Sequence, residues 1–166
     1  HQVDFCVYSG GVNPDADWFP LYQDPMLAVL PPDHPLAHLS TFPIEKFGDE
    51  PFIMPGGRDG EYGVVQLLEQ NHIHPRIEFS TIENYSAIAL VECGLGVSIM
   101  NKGVTLGRRN NVVMLPIDPP QFITIGVEIL SLKAGSPAAR KMISYVRKML
   151  LSPTAGELVS PRDFSA

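Results

Sequence analysis

The sequence predicts an α/β fold, and three features carry that prediction. Strand-length apolar runs alternate with helix-length periodic stretches along most of the chain. Residues 82–93 read as a helix that passes through Gly94-Leu95-Gly96 into the buried run Val97-Ser98-Ile99-Met100. A third feature repeats the logic in reverse. The run Pro51-Phe52-Ile53-Met54 enters a glycine-rich loop, Pro55-Gly56-Gly57-Arg58-Asp59-Gly60, which opens another helix.

Taken in order, Val3 to Tyr8 reads as a short, largely buried strand, and Ser9-Gly10-Gly11 as a turn. Trp18 to Tyr22 leads to a break at Asp24-Pro25. Met26 to Leu30 is wholly apolar, hence an interior strand. Pro31 to Ala37 contains three prolines and cannot be regular structure. Ile44 to Phe47 suits one or two helical turns. Glu61 to Asn71 is a helix with Val64, Val65, Leu67 and Leu68 apolar. Arg76 to Ser80 is a strand with Ile77 and Phe79 inward. Asn84 is a possible N-cap for the next helix. Gly94 is its stop, since a position past a helix end often needs positive φ. Val112 to Ile117 and Ile123 to Leu132 follow as strands. Ser136-Pro137 is an N-cap with proline at the first helical position, starting a helix whose buried face is Met142, Ile143, Val146, Met149 and Leu150. Consecutive strands separated by helices imply parallel pairing.

Composition sets the outer bounds. The chain has 166 residues, 45% of them hydrophobic and 18% charged, enough for one ordinary domain or two small lobes and too apolar for a disordered chain. Its 16 prolines and 14 glycines mean many short elements. A net charge of −6 with no basic run makes a poor partner for phosphate backbones or anionic membranes. No apolar stretch approaches the roughly 20 residues that span a bilayer, and nothing at the start reads as a secretory leader. Cys6 and Cys93 lie in apolar settings and read as two buried, reduced thiols. The start at His1 reads as a piece cut from something longer.

Candidate chemistry is sparse. The Gly56–Gly63 loop opens a helix, so backbone N–H groups and the helix dipole point the same way, and Arg58 adds a bidentate grip for a carboxylate. The plainer reading is a surface loop with a solvated arginine. Gly-Lys-Ser/Thr is absent, so this is not a nucleotide loop. His34 and His38 have metal spacing but flank Pro35 and lack a third ligand, so a proline-rich turn is the better reading. Gly94-Leu95-Gly96 follows a helix and lacks a third glycine, so a helix stop explains it better than a dinucleotide site. Ser9 has no nucleophile elbow around it. Glu83 and Glu92 have no acid partner in view, which leaves little case for an enzyme. Asn101 ends a buried strand, where open α/β sheets place ligands.

Three segments resemble one family. Asp33-His34-Pro35-Leu36-Ala37, Ala89 through Gly94-Leu95-Gly96-Val97-Ser98-Ile99, and Ser136-Pro137-Ala138-Ala139-Arg140 are similar, in order and spacing, to segments of LysR-type transcriptional regulators. The resemblance implies an effector-binding domain of the type II periplasmic-binding-protein-like fold, with two Rossmann-like lobes. Residues 1–25 plus 133–166 are expected to form a partial first lobe, and 26–132 the second. The resemblance implies a small-molecule effector, anionic by the loop chemistry, in an interlobe cleft. Ligand contacts are expected from Tyr8, Ser9 and Gly10 in the first lobe. From the second come Met54, Pro55, Gly57, Arg58, Asp59, Gly60, Tyr62, Thr81, Glu83, Asn84 and Asn101. Asn101 stands where the family usually has proline, and Cys93 where it usually has alanine. The resemblance further implies no cofactor, no metal, no catalysis and no membrane. It implies a cytoplasmic homo-oligomer, dimeric or tetrameric at full length, that meets DNA only through an amino-terminal helix-turn-helix missing here. A stand-alone solute-binding protein of a transporter and, less favoured, an α/β enzyme are the alternatives.

Overall fold

The computed structural model describes residues 3–9, 13–105 and 110–151, without the side chains of Arg58, Leu150 and Leu151. The elements in chain order are β1 (Cys6–Ser9), β2 (Asp17–Leu30), β3 (Phe42–Pro43), β4 (Pro51–Pro55), α1 (Tyr62–Gln70), β5 (Arg76–Thr81), α2 (Asn84–Glu92), β6 (Ser98–Asn101), α3 (Lys102–Thr105), β7 (Val113–Asp118), β8 (Phe122–Ile129) and α4 (Pro137–Leu151). Short 3-10 turns cover Ile44–Gly48 and Gly57–Asp59. The chain divides into two compact units, His1–Gln23 with Thr124–Ala166, and Asp24–Ile123. The second division falls within β8, nine residues before the crossing near 132/133 read from the sequence, because that strand continues from one unit into the other.

In the first unit β1 runs antiparallel to β8, from Cys6 opposite Glu128 to Ser9 opposite Ile125. Trp18 lies on Gly126, where a Cβ would come 2.3 Å from the indole ring, and Tyr8 meets that ring edge-on at 5.3 Å. Ser136 caps α4 as expected, its hydroxyl accepting from the Ala139 N–H at 3.1 Å. The buried face differs from the expectation. Ala139 and Ile143 pack with Val127 and Ile129, while Met142 and Met149 are exposed. At about 100° per residue the apolar positions of α4 span a wide arc, and the described strands cover only part of it. Cys6 and Val7 are exposed as well, because β1 has only β8 beside it among the described residues.

The second unit holds the larger core. β2 runs straight through Pro20 and Asp24-Pro25 rather than breaking there, since a proline φ suits extended backbone and only a donor is lost. β2 pairs antiparallel with β6, Met26 opposite Asn101, and with β7, Leu27 opposite Pro116. Parallel pairing was expected. β2 enters from the other unit, so no helical crossover sets its direction, and the sheet is mixed. Parallel pairs do occur, β3 with β7 and β4 with β5, and Phe52 of β4 bridges Val97 in parallel just ahead of β6. Val29, Ile53, Ala87, Ile88, Val91 and Met100 form one cluster from strands and α2. Phe47 stacks at 4.5 Å on Phe42 and meets Phe52 edge-on at 5.9 Å.

Three local expectations meet the structure differently. His34 is a turn buckle: its Nδ1 accepts the Leu36 N–H at 3.1 Å, and its Nε2 lies 3.4 Å from Glu50. The α2 N-cap is Glu83, with no side-chain capping bond, so Asn84 is the first helical residue. β5 is an edge strand, and Ile77 and Phe79, expected inward, are 54% and 41% exposed because no layer among the described residues covers them.

The helix stop at Gly94 is as expected. Its φ is +75°, its N–H donates to Val91 O, and the Leu95 N–H donates to Leu90 O, which closes the helix by paired bonds. A Cβ there would meet nothing within 4 Å, so the glycine is needed for conformation alone. Gly94→Ala is therefore expected to cost about 1–2 kcal/mol, the left-handed penalty. Urea titration checks this: the midpoint falls with the slope unchanged. An unmoved midpoint would show that position 94 needs no glycine.

Candidate functional site

β4 and β5 lie parallel in register, Met54 opposite Ser80 and Pro55 opposite Thr81, so their carboxyl ends open side by side. The segments leaving them are therefore neighbours. After β4 the loop folds back on itself: the Glu61 N–H donates to Pro55 O at 2.6 Å and the Gly60 N–H to Gly57 O at 3.2 Å. Three glycines make this geometry. Gly56, Gly57 and Gly60 have φ of +89°, +76° and +76°. A Cβ on Gly56 would lie 2.2 Å from the Glu61 nitrogen. One on Gly60 would lie 2.6 Å from Val65 and 3.2 Å from the Met54 sulfur, which packs beneath the loop. After β5 the Thr81 hydroxyl accepts from the Glu83 N–H at 3.1 Å and donates to Glu83 O at 3.0 Å, fixing the turn into α2. The two segments touch: a Cβ on Gly57 would be 3.1 Å from Ile82.

The helix end is less open to an anion than the sequence suggests. Glu61 caps α1, its carboxylate accepting the Val64 N–H at 3.1 Å. Asp59 and Glu83 are exposed on the same two segments. The Arg58 side chain lies outside what is described. Lys46 is held above its usual ammonium pKa by its hydrogen bond to Asp49 at 3.0 Å, on the turn before β4.

The residues expected at the site lie as follows. Met54 and Pro55 are buried as the loop's floor. Gly57, Asp59, Gly60, Thr81, Glu83 and Asn84 stand on the two segments. Tyr62, in the first turn of α1, is exposed, and its hydroxyl accepts from Gln66 at 2.6 Å. Asn101 ends β6, but its amide donates to Asp24 at 2.6 Å, and the Gly103 N–H reaches the same oxygen at 2.8 Å. Asp24 is only 5% exposed. In the first unit Tyr8 donates to Glu128 at 2.6 Å, and Ser9 ends β1, half-buried. Gly10 lies outside the described residues. Sequence reasoning missed the Glu61 cap, for which an acid directly before the helix was the available signal. It also missed Ile82 and Asp24, for which there was none.

Among the described residues no group of three or more His, Cys, Asp or Glu could hold a metal ion. None of their helices is long and apolar enough to cross a membrane.

A family model described as the LysR substrate binding domain matches residues 1–151. Over 151 residues the chain is 27% identical to the uncharacterized HTH-type transcriptional regulator YybE of Bacillus subtilis, covering 87% of this chain and 50% of that protein. Over 153 residues it is 28% identical to the Hca operon transcriptional activator HcaR of Escherichia coli, covering 86% and 49%. The chain thus spans about half the length of these relatives. Among solved structures, the regulatory domain of CcmR from Synechocystis in complex with 2-PG superposes with a TM-score of 0.77 at 23% identity, over 90% of this chain and 74% of that one. The effector binding domain of QuiR in complex with shikimate gives 0.75 at 23%, over 87% and 70%. At such identities the likeness establishes the fold, the expected type II periplasmic-binding-protein-like α/β architecture.

Proposed function

This chain belongs to the LysR substrate binding domain family, and from that premise we propose that it senses a small-molecule effector for a transcription regulator by binding alone. The family match over residues 1–151 carries the reading. The paired carboxyl ends of β4 and β5 support it, since ligands of open α/β sheets bind there. Binding that is stronger in one arrangement of the protein shifts its population, and no bond need be made or broken. The family is regulatory, so the chain acts as a receptor and not as an enzyme. The full-length regulator is a cytoplasmic homo-oligomer, and it meets DNA through a helix-turn-helix outside these residues. The net charge of −6 leaves this part ill suited to phosphate contacts.

The finer proposal is a small anionic effector, in keeping with neighbours solved with 2-PG and shikimate. Glu61 already meets the first turn of α1. The anion therefore rests on the backbone of the Gly56–Gly60 loop and on Arg58, with Thr81 and Asn84 completing the polar set.

A thermal-shift screen of metabolite acids on the full-length protein tests both levels. A ligand at a hundredfold its Kd adds about 2.7 kcal/mol to the native state, which raises the midpoint by several degrees. Arg58→Ala should weaken a responding acid about tenfold or more and leave the unliganded midpoint unchanged. Undiminished affinity in that variant rejects the anion grip. A responding compound consumed on prolonged incubation rejects the receptor reading itself.

A further inference from the structure

We propose that Ile82 is a specificity-determining residue, forming at the carboxyl ends of β4 and β5 an apolar subsite that takes the apolar portion of the effector. The proposal rests on the sensing reading above and adds a ligand class to it.

Ile82 is 82% exposed, the most exposed of the large hydrophobic residues described. Scattered apolar side chains on a surface are ordinary. Three things set this one apart. It sits in the turn between β5 and α2, at the end of a parallel strand pair where α/β sheets bind ligands. The Thr81 hydroxyl binds both the N–H and the carbonyl of Glu83, which closes the turn around Ile82, and a β-branched side chain has few rotamers, so its methyl groups are presented as a fixed surface. The third is Gly57 opposite. With φ at +76° and only 3.1 Å between its would-be Cβ and Ile82 Cγ1, this position brings bare backbone of the β4 loop against the isoleucine and no side chain between them.

The subsite is therefore an apolar surface flanked by backbone amides on one side and by Thr81, Glu83 and Asn84 on the other. A compact inorganic anion leaves Ile82 in water. A molecule with both a polar head and a hydrocarbon or aromatic portion covers it, and that coverage is worth about tenfold or more in affinity. One side chain is too small an anchor for a protein surface, so the occupant is the small-molecule effector.

Methyl NMR of the full-length protein, labelled at isoleucine δ1 carbons and titrated with benzyl alcohol, reads the subsite directly. This probe is apolar and uncharged, so it does not report the anion grip. Ile82 is expected to shift saturably, at least about tenfold below the concentration that moves Ile77, an isoleucine exposed on β5. Equal, non-saturating shifts at both positions mean adventitious apolar contact only and overturn the proposal. In the acid screen, responding acids with an apolar portion should lose about tenfold in affinity on Ile82→Ser, while the unliganded midpoint stays in place. An effector that lacks an apolar portion, or one indifferent to Ile82→Ser, also overturns the subsite and leaves the sensing reading standing. Failure of that reading shows separately, as product formation.

Discussion

Gly56→Ala is expected to lower stability by about 2–5 kcal/mol, or to open the β4–α1 loop and abolish effector binding at unchanged global stability. The residue has φ of +89°, which alone costs an alanine about 1–2 kcal/mol. Space is the larger problem. The added Cβ would sit 2.2 Å from Glu61 N, 2.5 Å from Glu61 Cα and 2.5 Å from Gly60 C, all backbone atoms. No rotamer change relieves that. The loop has to move, and the bond from Glu61 N–H to Pro55 O breaks with it. Overpacking of this kind costs about 1–3 kcal/mol, and a lost hydrogen bond about 1 more, not strictly additive. Hydrogen exchange at Gly60 and Glu61 separates the two outcomes: local opening raises exchange there and nowhere else. Gly94→Ala is the control, since it carries the φ penalty without the overlap. Wild-type exchange together with wild-type stability in Gly56→Ala would contradict the loop geometry.

Phe47→Ala should be the most damaging single truncation in the second unit, at about 3–5 kcal/mol. Phe47 is fully buried between Phe42 and Phe52 and joins the turn before β4 to β4 itself. Its loss leaves a void lined by rigid rings, which collapse poorly. Domains of this kind are stable by only about 5–15 kcal/mol, so the variant should unfold at markedly lower urea. Phe47→Leu refills most of the void and should recover over half the loss. The choice of probe matters. The one tryptophan, Trp18, packs in the first unit on Gly126, so its fluorescence reports that unit, whereas far-UV circular dichroism reports both. A circular dichroism midpoint unchanged by Phe47→Ala would contradict the packing.

How much of this was legible in the sequence depends on what each residue answers to. Local rules read well. Gly94 past a helix end, Ser136-Pro137 at a helix start, and the glycine-rich loop between Met54 and Tyr62 all stand where short-range sterics and hydrogen bonding put them. Periodicity also found the apolar runs. It could not say which apolar faces would be covered. Ile77, Phe79, Met142 and Met149 follow strand or helix spacing and yet face water, because coverage depends on which elements pack beside them. Strand direction was invisible for a similar reason. β2 lies antiparallel to β6 and β7 because it arrives from the other unit, a long-range fact that no window of residues contains. At the candidate site, the glycine-rich loop was read from chain order, while the Thr81 turn came only through the family resemblance. The attachment of Asn101 to Asp24, 77 positions away, required the fold.

The exposure of both cysteines has a practical consequence. Cys6 belongs to the first unit and Cys93 to the second, and these 166 residues contain no other thiol. Two nitroxide spin labels can therefore be attached to the natural sequence, one per unit, without mutagenesis. Pulsed dipolar spectroscopy would then measure the span between them with and without a bound metabolite.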